Sequence, residues 1–286
     1  GIIGGGYLVG QIYADREADR RIGRILTQLP PGTRVRSESA GYDLLSGKIK
    51  LNNIAITSKQ AGSARIRGLT LISYDTSNEV PHYATVQVRG FEMSADKAKP
   101  ATRVWMERLG YGKIVIDVDY AYRYRPKLRE LTVEKFVISG KEVGTLSFEA
   151  RIGNVTRIDA RNFAQLISIA LQAVVRSGRL TFEDGSLAGR LIRDQARAAG
   201  QSEAAYRETL IGSIDTEMRR TKSASLRRQL QHVRAFVEKP GQITVEMAPK
   251  RPVPVLLVAG VRDTGLLQRI LGIKVTAKPL NVKKKN

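Results

Sequence analysis

The run from Lys113 to Arg125 constrains the fold of this chain more than any other segment. Its even-numbered residues are all apolar or aromatic, and its odd-numbered residues include Asp117, Asp119 and Arg123. A period of two residues is typical of a β-strand that has one covered face and one face in water. The sequence therefore predicts a long strand in an antiparallel sheet.

Further runs with the same character lie on both sides of this strand. They cover residues 48–57, 64–74, 83–91, 131–139 and 145–152. Asn52 and Asn53 shift the apolar phase of the first run by one residue, which predicts a β-bulge or a tight turn. A helix is predicted at Pro100–Leu109, and its apolar residues are placed to cover the sheet. These residues are Val104, Trp105, Met106 and Leu109.

The second half of the chain mixes helical spacing with shorter strands. Strands are predicted at 178–183, 242–248 and 273–277, and helices begin at Leu187, after Ser202, before Leu226 and after Pro254. The predicted fold class is α+β, a curved antiparallel β-sheet with packed helices, preceded by an N-terminal membrane-anchor helix. Four segments follow: a membrane-anchor and juxtamembrane helix at 1–29, an antiparallel β-rich domain at 33–153, an α+β helical region at 160–280 and a basic tail at 281–286.

The first fourteen residues are nearly uncharged and rich in glycine, and a charged stretch follows them at 15–21. An apolar segment that turns abruptly polar is typical of a membrane anchor that emerges into water. About 20 residues are needed to cross the hydrocarbon core, so we interpret this segment as the outer part of a transmembrane helix. A buried amphipathic helix and a remnant of a signal peptide are the alternatives. The predicted anchor residues are Ile2, Ile3, Tyr7, Leu8, Val9 and Ile12.

A formal net charge of +21 predicts that the chain meets polyanions. The positive charge is concentrated between Arg219 and Arg251 and in the tail. A solvated helix face, anionic lipid head groups or lipopolysaccharide, and an acidic protein partner each account for this cluster. Nucleic acid is not expected, because no aromatic platform or helix-turn-helix spacing accompanies the charge. The candidate contact residues are Arg219, Arg220, Lys222, Arg227, Arg228 and Arg234.

The residue types that carry most enzyme chemistry are scarce. The chain has no cysteine, which excludes thiolate catalysis, disulfides and zinc–thiolate sites, and it has only His82 and His232 as histidines. Neither histidine has a companion ligand at a useful spacing. We therefore predict no catalytic residue, no cofactor and no metal site.

Two acidic motifs deserve separate mention. Asp117 and Asp119 share one strand face, a spacing that suits paired acid–base groups or a charged outer face paired with Arg123 and Arg125. The sequence Glu183-Asp184-Gly185-Ser186 favours a turn followed by a helix N-cap. The structural interpretation is preferred for both motifs.

Several short motifs resemble one family. They are the tyrosine-glycine exit at 7–11, the run Gly41-Tyr42-Asp43-Leu44-Leu45-Ser46-Gly47 before a strand, Leu109-Gly110-Tyr111, and the segment 180–187. With the predicted anchor, this layout resembles the YdgA-like proteins of Gram-negative bacteria and, more loosely, the AsmA-like envelope proteins. The resemblance implies an inner-membrane anchor and a body in the periplasm, and it implies no catalytic residues.

Together these observations predict a non-enzymatic, membrane-anchored periplasmic protein. It would act in lipid handling or envelope maintenance through an apolar sheet surface and a basic face. An accessory subunit of a larger membrane complex, docked on an acidic partner, is the first alternative. An enzyme of unrecognised type is the second. The sequence leaves the oligomeric state open.

Overall fold

The computed structural model describes residues 33–43, 47–58, 62–78, 81–156, 172–260 and 264–279. The predicted anchor residues, from Ile2 to Ile12, and the basic tail lie outside these ranges. No helix among the described residues is both long enough and apolar enough to span a membrane.

The fold is α+β, with extensive antiparallel sheet and several helices, as the sequence predicts. The chain forms two compact units that divide between Arg123 and Tyr124. The segment boundaries predicted near residues 30, 155 and 280 stay predictions, because they fall on or beside residues outside the described ranges.

The first unit is built on long antiparallel strands. Their order is β1-β3-β4-β5-β6, and β2 also pairs with β3 beyond the end of β1. The strand runs predicted in this half are confirmed, whereas β1 and β2 lie in the predicted β-rich segment but were not predicted as separate strands. The bounds are β1 Thr33–Arg36, β2 Ser39–Asp43, β3 Lys48–Ser58, β4 Gly62–Tyr74, β5 Tyr83–Ser94 and β6 Lys113–Arg125.

Backbone irregularities run across the middle of these strands. Ile49 and Ile54 are both buried on either side of Asn53, whose φ is 49°, so the predicted phase shift is present but the predicted β-bulge is not. The register between β3 and β4 is the same on both sides of Asn53, so the strand bends there without gaining a residue. The bulge lies in β5, where the register with β6 shifts between Val88 and Phe91 and Gly90 has φ of 62°.

Helix α1, Pro100–Arg108, contributes one fully buried side chain, Met106, to the first unit. Met106 is 0 % exposed and Leu109 is 4 % exposed, as predicted. The prediction is wrong for Val104 and Trp105, which are 50 % and 46 % exposed. Residues three apart share a helix face, so burying Met106 and Leu109 turns Val104 and Trp105 outward.

The second unit contains the remaining strands in the order β7-β8-β9-β10-β12, with β11 paired to β9, and all pairs are antiparallel. The strands are β7 Glu130–Gly140, β8 Gly144–Gly153, β9 Val174–Asp184, β10 Gln242–Met247, β11 Val253–Pro254 and β12 Ile273–Lys278. The helices are α2 Leu187–Ala198, α3 Glu203–Arg220, α4 Ala224–Glu238, α5 Val255–Gly260 and α6 Thr264–Leu271.

Capping side chains explain where the helices of the second unit begin. The Ser202 and Ser223 hydroxyls accept hydrogen bonds from the third backbone N–H of α3 and α4, each at 3.2 Å. The predicted N-cap at Ser202 is therefore confirmed. Helix α4 is held on the sheet by Gln229, whose side-chain amide donates to the Ile273 carbonyl at 2.9 Å.

Candidate binding surfaces

One face of the sheet in the second unit is apolar over three neighbouring strands. The register pairs Phe136 with Phe148, and Phe148 with Leu180, so all three side chains share this face. Leu180 is 37 % exposed although it lies on a central strand, and the other members are only half-buried. We call this surface the apolar sheet face; its residues are Phe136, Ile138, Leu146, Phe148 and Leu180.

Helix α4 covers another part of this same sheet face, next to the apolar sheet face. Phe182, next to Leu146 in the register, packs edge-on against Phe236 of α4 with ring centroids 6.2 Å apart. Helix α4 also packs along β12 through Gln229. Apolar surface is therefore buried towards β10 and β12, whereas Leu180 keeps more than a third of its surface exposed.

Five of the six cationic residues predicted as a contact site meet at the turn between α3 and α4. They lie in the last turn of α3, in the connection and in the first turn of α4. Cations at a helix C-terminus interact favourably with the helix dipole, which gives those at the end of α3 a structural role as well. We call this group the basic hairpin tip; its residues are Arg219, Arg220, Lys222, Arg227 and Arg228.

The sixth predicted contact residue, Arg234, lies apart from the basic hairpin tip. Arg234 lies in the body of α4, seven residues beyond Arg227 and thus about 10 Å along the helix. Its Nε donates to Asp215 at 3.1 Å, and its guanidinium also bonds to Glu238 at 2.9 Å. Two carboxylates therefore neutralise this arginine, and it clamps α3 to α4.

The five residues of the basic hairpin tip differ in the contacts that their side chains make. Arg227 donates to the carbonyls of Met218 and Thr221, at 3.2 and 3.0 Å, and so caps the end of α3. Arg219 bonds to the Thr216 hydroxyl at 3.1 Å. The side chains that stay exposed, with no carboxylate of the described ranges within 4.0 Å, are Arg220, Lys222 and Arg228.

The paired aspartates of β6 have structural partners. Asp117 accepts a hydrogen bond from the Gly90 backbone N–H at 2.7 Å and so holds the β5 bulge. Asp119 lies 2.6 Å from the Arg89 guanidinium. The β5 bulge thus brings Arg89 and Gly90 to these two carboxylates, and the pairing with Arg123 and Arg125 stays a prediction.

The acidic motif before α2 forms the predicted turn, although a different residue caps the helix. Asp184 accepts the Ala188 N–H at 2.8 Å, whereas the Ser186 hydroxyl donates to the Glu142 carbonyl. Ser186 occupies the N-cap position without making a side-chain cap bond.

A carboxylate that sequence reasoning missed organises the loop after β4. Asp75 is 7 % exposed and accepts hydrogen bonds from the His82 and Ser77 backbone N–H groups, both at 2.9 Å, and from the Asn78 amide. The His82 backbone bond is the main cause of a lowered pKa at Asp75. Aspartates in ordinary turns also bond to residues that follow them closely in the chain. The sequence around Asp75 therefore does not show that this carboxylate is buried.

The tyrosines of β6 form a partly buried ladder. The Tyr120 and Tyr122 rings stack with centroids 5.5 Å apart, and Tyr122 donates to the Pro81 carbonyl at 2.9 Å. Burial raises the pKa of both phenols. The ladder is therefore a packing feature of the sheet in the first unit.

No cluster of three or more acidic or histidine side chains that could hold a metal ion is found within the described residues. A model of one protein family, described as "Uncharacterized protein", matches residues 137–278 of the chain. That stretch runs from β7 to β12, so it includes the helical hairpin and most of the apolar sheet face. A comparison with curated proteins finds no match.

Proposed function

We propose that this chain is a non-enzymatic envelope protein of the bacterial inner membrane, with its body in the periplasm, and that it binds lipid on the apolar sheet face. The resemblance to YdgA-like proteins supports the location. The observation that carries the lipid role is the exposure of Leu180 on a central strand of the second unit.

Apolar surface on a folded sheet is normally buried, at a gain of about 25 cal/mol per Å² removed from water. A sheet face that keeps phenylalanine and leucine side chains half-exposed is therefore suited to an apolar ligand. Acyl chains fit this surface because they need no hydrogen-bonding partner. The basic hairpin tip and the charge of +21 would attract the anionic head groups of the same lipids.

A charge placed on the apolar sheet face tests this proposal. We expect Leu180→Glu to reduce the lipid that co-purifies with the full chain several-fold, because a carboxylate among acyl chains is strongly unfavourable. The measurement is lipid per mole of protein by mass spectrometry after extraction in mild detergent. Leu191→Glu is the matched control, since Leu191 of α2 is similarly exposed, at 40 %. Equal lipid in both variants and the parent chain would contradict the proposal.

A second candidate function is an accessory subunit that docks on an acidic partner through the basic hairpin tip. The observation that favours it is the set of exposed cations Arg220, Lys222 and Arg228, which pair with no carboxylate in the described part of the chain. Solvent-exposed contacts to such cations weaken as salt screens them, since the Debye length is about 8 Å at physiological ionic strength.

Replacing these three cations by glutamine separates the candidates. We expect the triple variant to lose any acidic partner while its free energy of unfolding stays within about 0.5 kcal/mol of the parent value. Arg227 is left intact because it caps α3. The control replaces Arg197, Lys239 and Lys250, which are also exposed, and so removes the same charge elsewhere. The measurement is capture of the partner on an affinity column that carries each variant. If both triple variants capture the partner equally well, this candidate is wrong.

A further inference from the structure

Three arginines converge on one buried carboxylate in the second unit. Glu130 is 7 % exposed and bonds directly to the Arg125 guanidinium. The Arg151 guanidinium lies 3.8 Å from the same Glu130 oxygen, and Arg176 Nε lies 3.5 Å from the other oxygen. Each of the arginine side chains keeps between 42 % and 57 % of its surface exposed.

Irregular backbone brings these side chains together. The register between β8 and β9 shifts beside Arg151, so that Arg176 is an extra residue in β9. Arg176 lies across Gly153, where an added Cβ would stand 2.6 Å from Arg176 Nε. A 3-10 turn at Pro126–Leu128 and the left-handed Arg129, with φ of 48°, lead the chain from Arg125 back to Glu130.

The cluster holds more positive charge and more donors than Glu130 can satisfy. Three guanidinium groups against one carboxylate leave a formal excess of two positive charges. Arg125 Nε and Thr132 Oγ1 are both buried and make no hydrogen bond with any described residue. Thr132 is the register partner of Arg151, so it belongs to the same patch.

The cluster also adjoins an open space. A cleft of about 430 Å³ crosses β7 to β10, and Thr132, Arg151 and Ser177 line it on the cluster side. Glu134, Glu149 and Glu246 line the same cleft further along. These carboxylates would repel a long polyanion, so only a compact anionic group suits the arginine end.

We propose that Arg125, Arg151 and Arg176 form a binding site for a phosphate group, with Glu130 as the residue that positions the guanidinium groups. Guanidinium forks match phosphate oxygens in bidentate pairs, and a dianionic phosphate balances the excess charge of the cluster. This inference goes beyond the proposed function, because it does not depend on what the apolar sheet face binds.

Titration of the full chain with inorganic phosphate, followed by calorimetry, tests the site. We expect Arg151→Gln and Arg176→Gln to weaken phosphate binding about tenfold or more, since each removes a charge-assisted hydrogen-bond donor. Arg179→Gln is the matched control, because Arg179 lies on the same strand as Arg176, is 59 % exposed and pairs with Glu246 at 2.9 Å. We expect that variant to bind phosphate as the parent chain does.

Two results would overturn the proposal. One is no binding of millimolar phosphate by the parent chain. The other is equal weakening in Arg179→Gln and Arg151→Gln, which would show a diffuse effect of net charge. Arg151→Gln is the decisive variant, because Arg151 is the most exposed arginine of the cluster and Arg125 still satisfies Glu130 without it. A thermal melt of each variant confirms that it folds.

Vesicles distinguish a lipid phosphate from a free one. We expect a head-group site to bind phosphatidylcholine vesicles that contain phosphatidylglycerol, and Arg151→Gln to weaken that binding relative to Arg179→Gln. If phosphate binds but both variants bind vesicles equally, the site holds a soluble phosphate compound. Both results support the site. Loss of lipid in Leu180→Glu with phosphate binding intact would separate the apolar sheet face from this cluster.

Discussion

Gly144→Ala is expected to lower the free energy of unfolding by about 3 kcal/mol or more. Gly144 opens β8 with φ of 120°, a conformation that side chains other than glycine rarely adopt. An added Cβ would stand 2.3 Å from the Glu183 carbonyl oxygen and 2.8 Å from the Gly185 nitrogen. Both neighbours are backbone atoms, so β8 and β9 would have to separate locally to admit a methyl group.

Gly189→Ala is the control for Gly144→Ala. An added Cβ at Gly189 meets no atom within 4 Å, and the residue lies inside helix α2. We therefore expect this variant to gain about 0.5–1 kcal/mol, since alanine loses less conformational entropy in a helix than glycine does. Urea unfolding followed by circular dichroism measures both variants. A similar loss in both would contradict the account of the Gly144 backbone.

Met106→Ala is expected to cost about 3 kcal/mol in the first unit. Met106 is 0 % exposed and is the only large side chain of the described residues with less than 2 % of its surface accessible. Its replacement removes apolar surface from the core and leaves a cavity that the neighbouring side chains can fill only in part.

Val104→Ala, two residues away on α1, gives the comparison for Met106→Ala. Val104 is 50 % exposed, so we expect its free energy of unfolding to change by less than about 0.5 kcal/mol. Native-state hydrogen exchange over α1 and its neighbouring strands separates this unit from the other one. A Met106→Ala variant as protected as Val104→Ala would show that α1 does not form part of the core.

Alternation of apolar residues predicted the strands because each long strand has two different faces. The prediction for Lys113–Arg125 coincides with β6, and those for the later strands are close to the observed bounds. Strands β1 and β2 were missed because they have only four and five residues, too few for a period of two to stand out. Their partner β3 stabilises them, so they depend on non-local pairing.

Predictions for single side chains were weaker, because packing selects among several positions that a pattern treats alike. Trp105 and Met106 are both apolar, yet only Met106 points into the core. The six predicted cations looked equivalent, yet Arg234 is neutralised by Asp215 and Glu238. These differences depend on how the elements pack against one another. Tertiary packing of this kind has no signal in the local sequence.

The cluster around Glu130 is the clearest example of a site that the sequence alone does not predict. Arg125, Arg151 and Arg176 lie on three different strands, separated by up to fifty residues of sequence. A bulge and a glycine bring them together, and neither has a strong sequence signal. The uncovered position of Leu180 is similar, because its exposure depends on where α4 stops covering the sheet.

The most direct test of the central claim is mass spectrometry of the full chain, extracted from its own membranes in gentle detergent, with lipids and proteins identified together. We predict stoichiometric lipid bound to the chain in its parent form, and much less in Leu180→Glu than in Leu191→Glu. A stable set of protein partners with no specific lipid would contradict lipid binding by the apolar sheet face, and would favour docking through the basic hairpin tip.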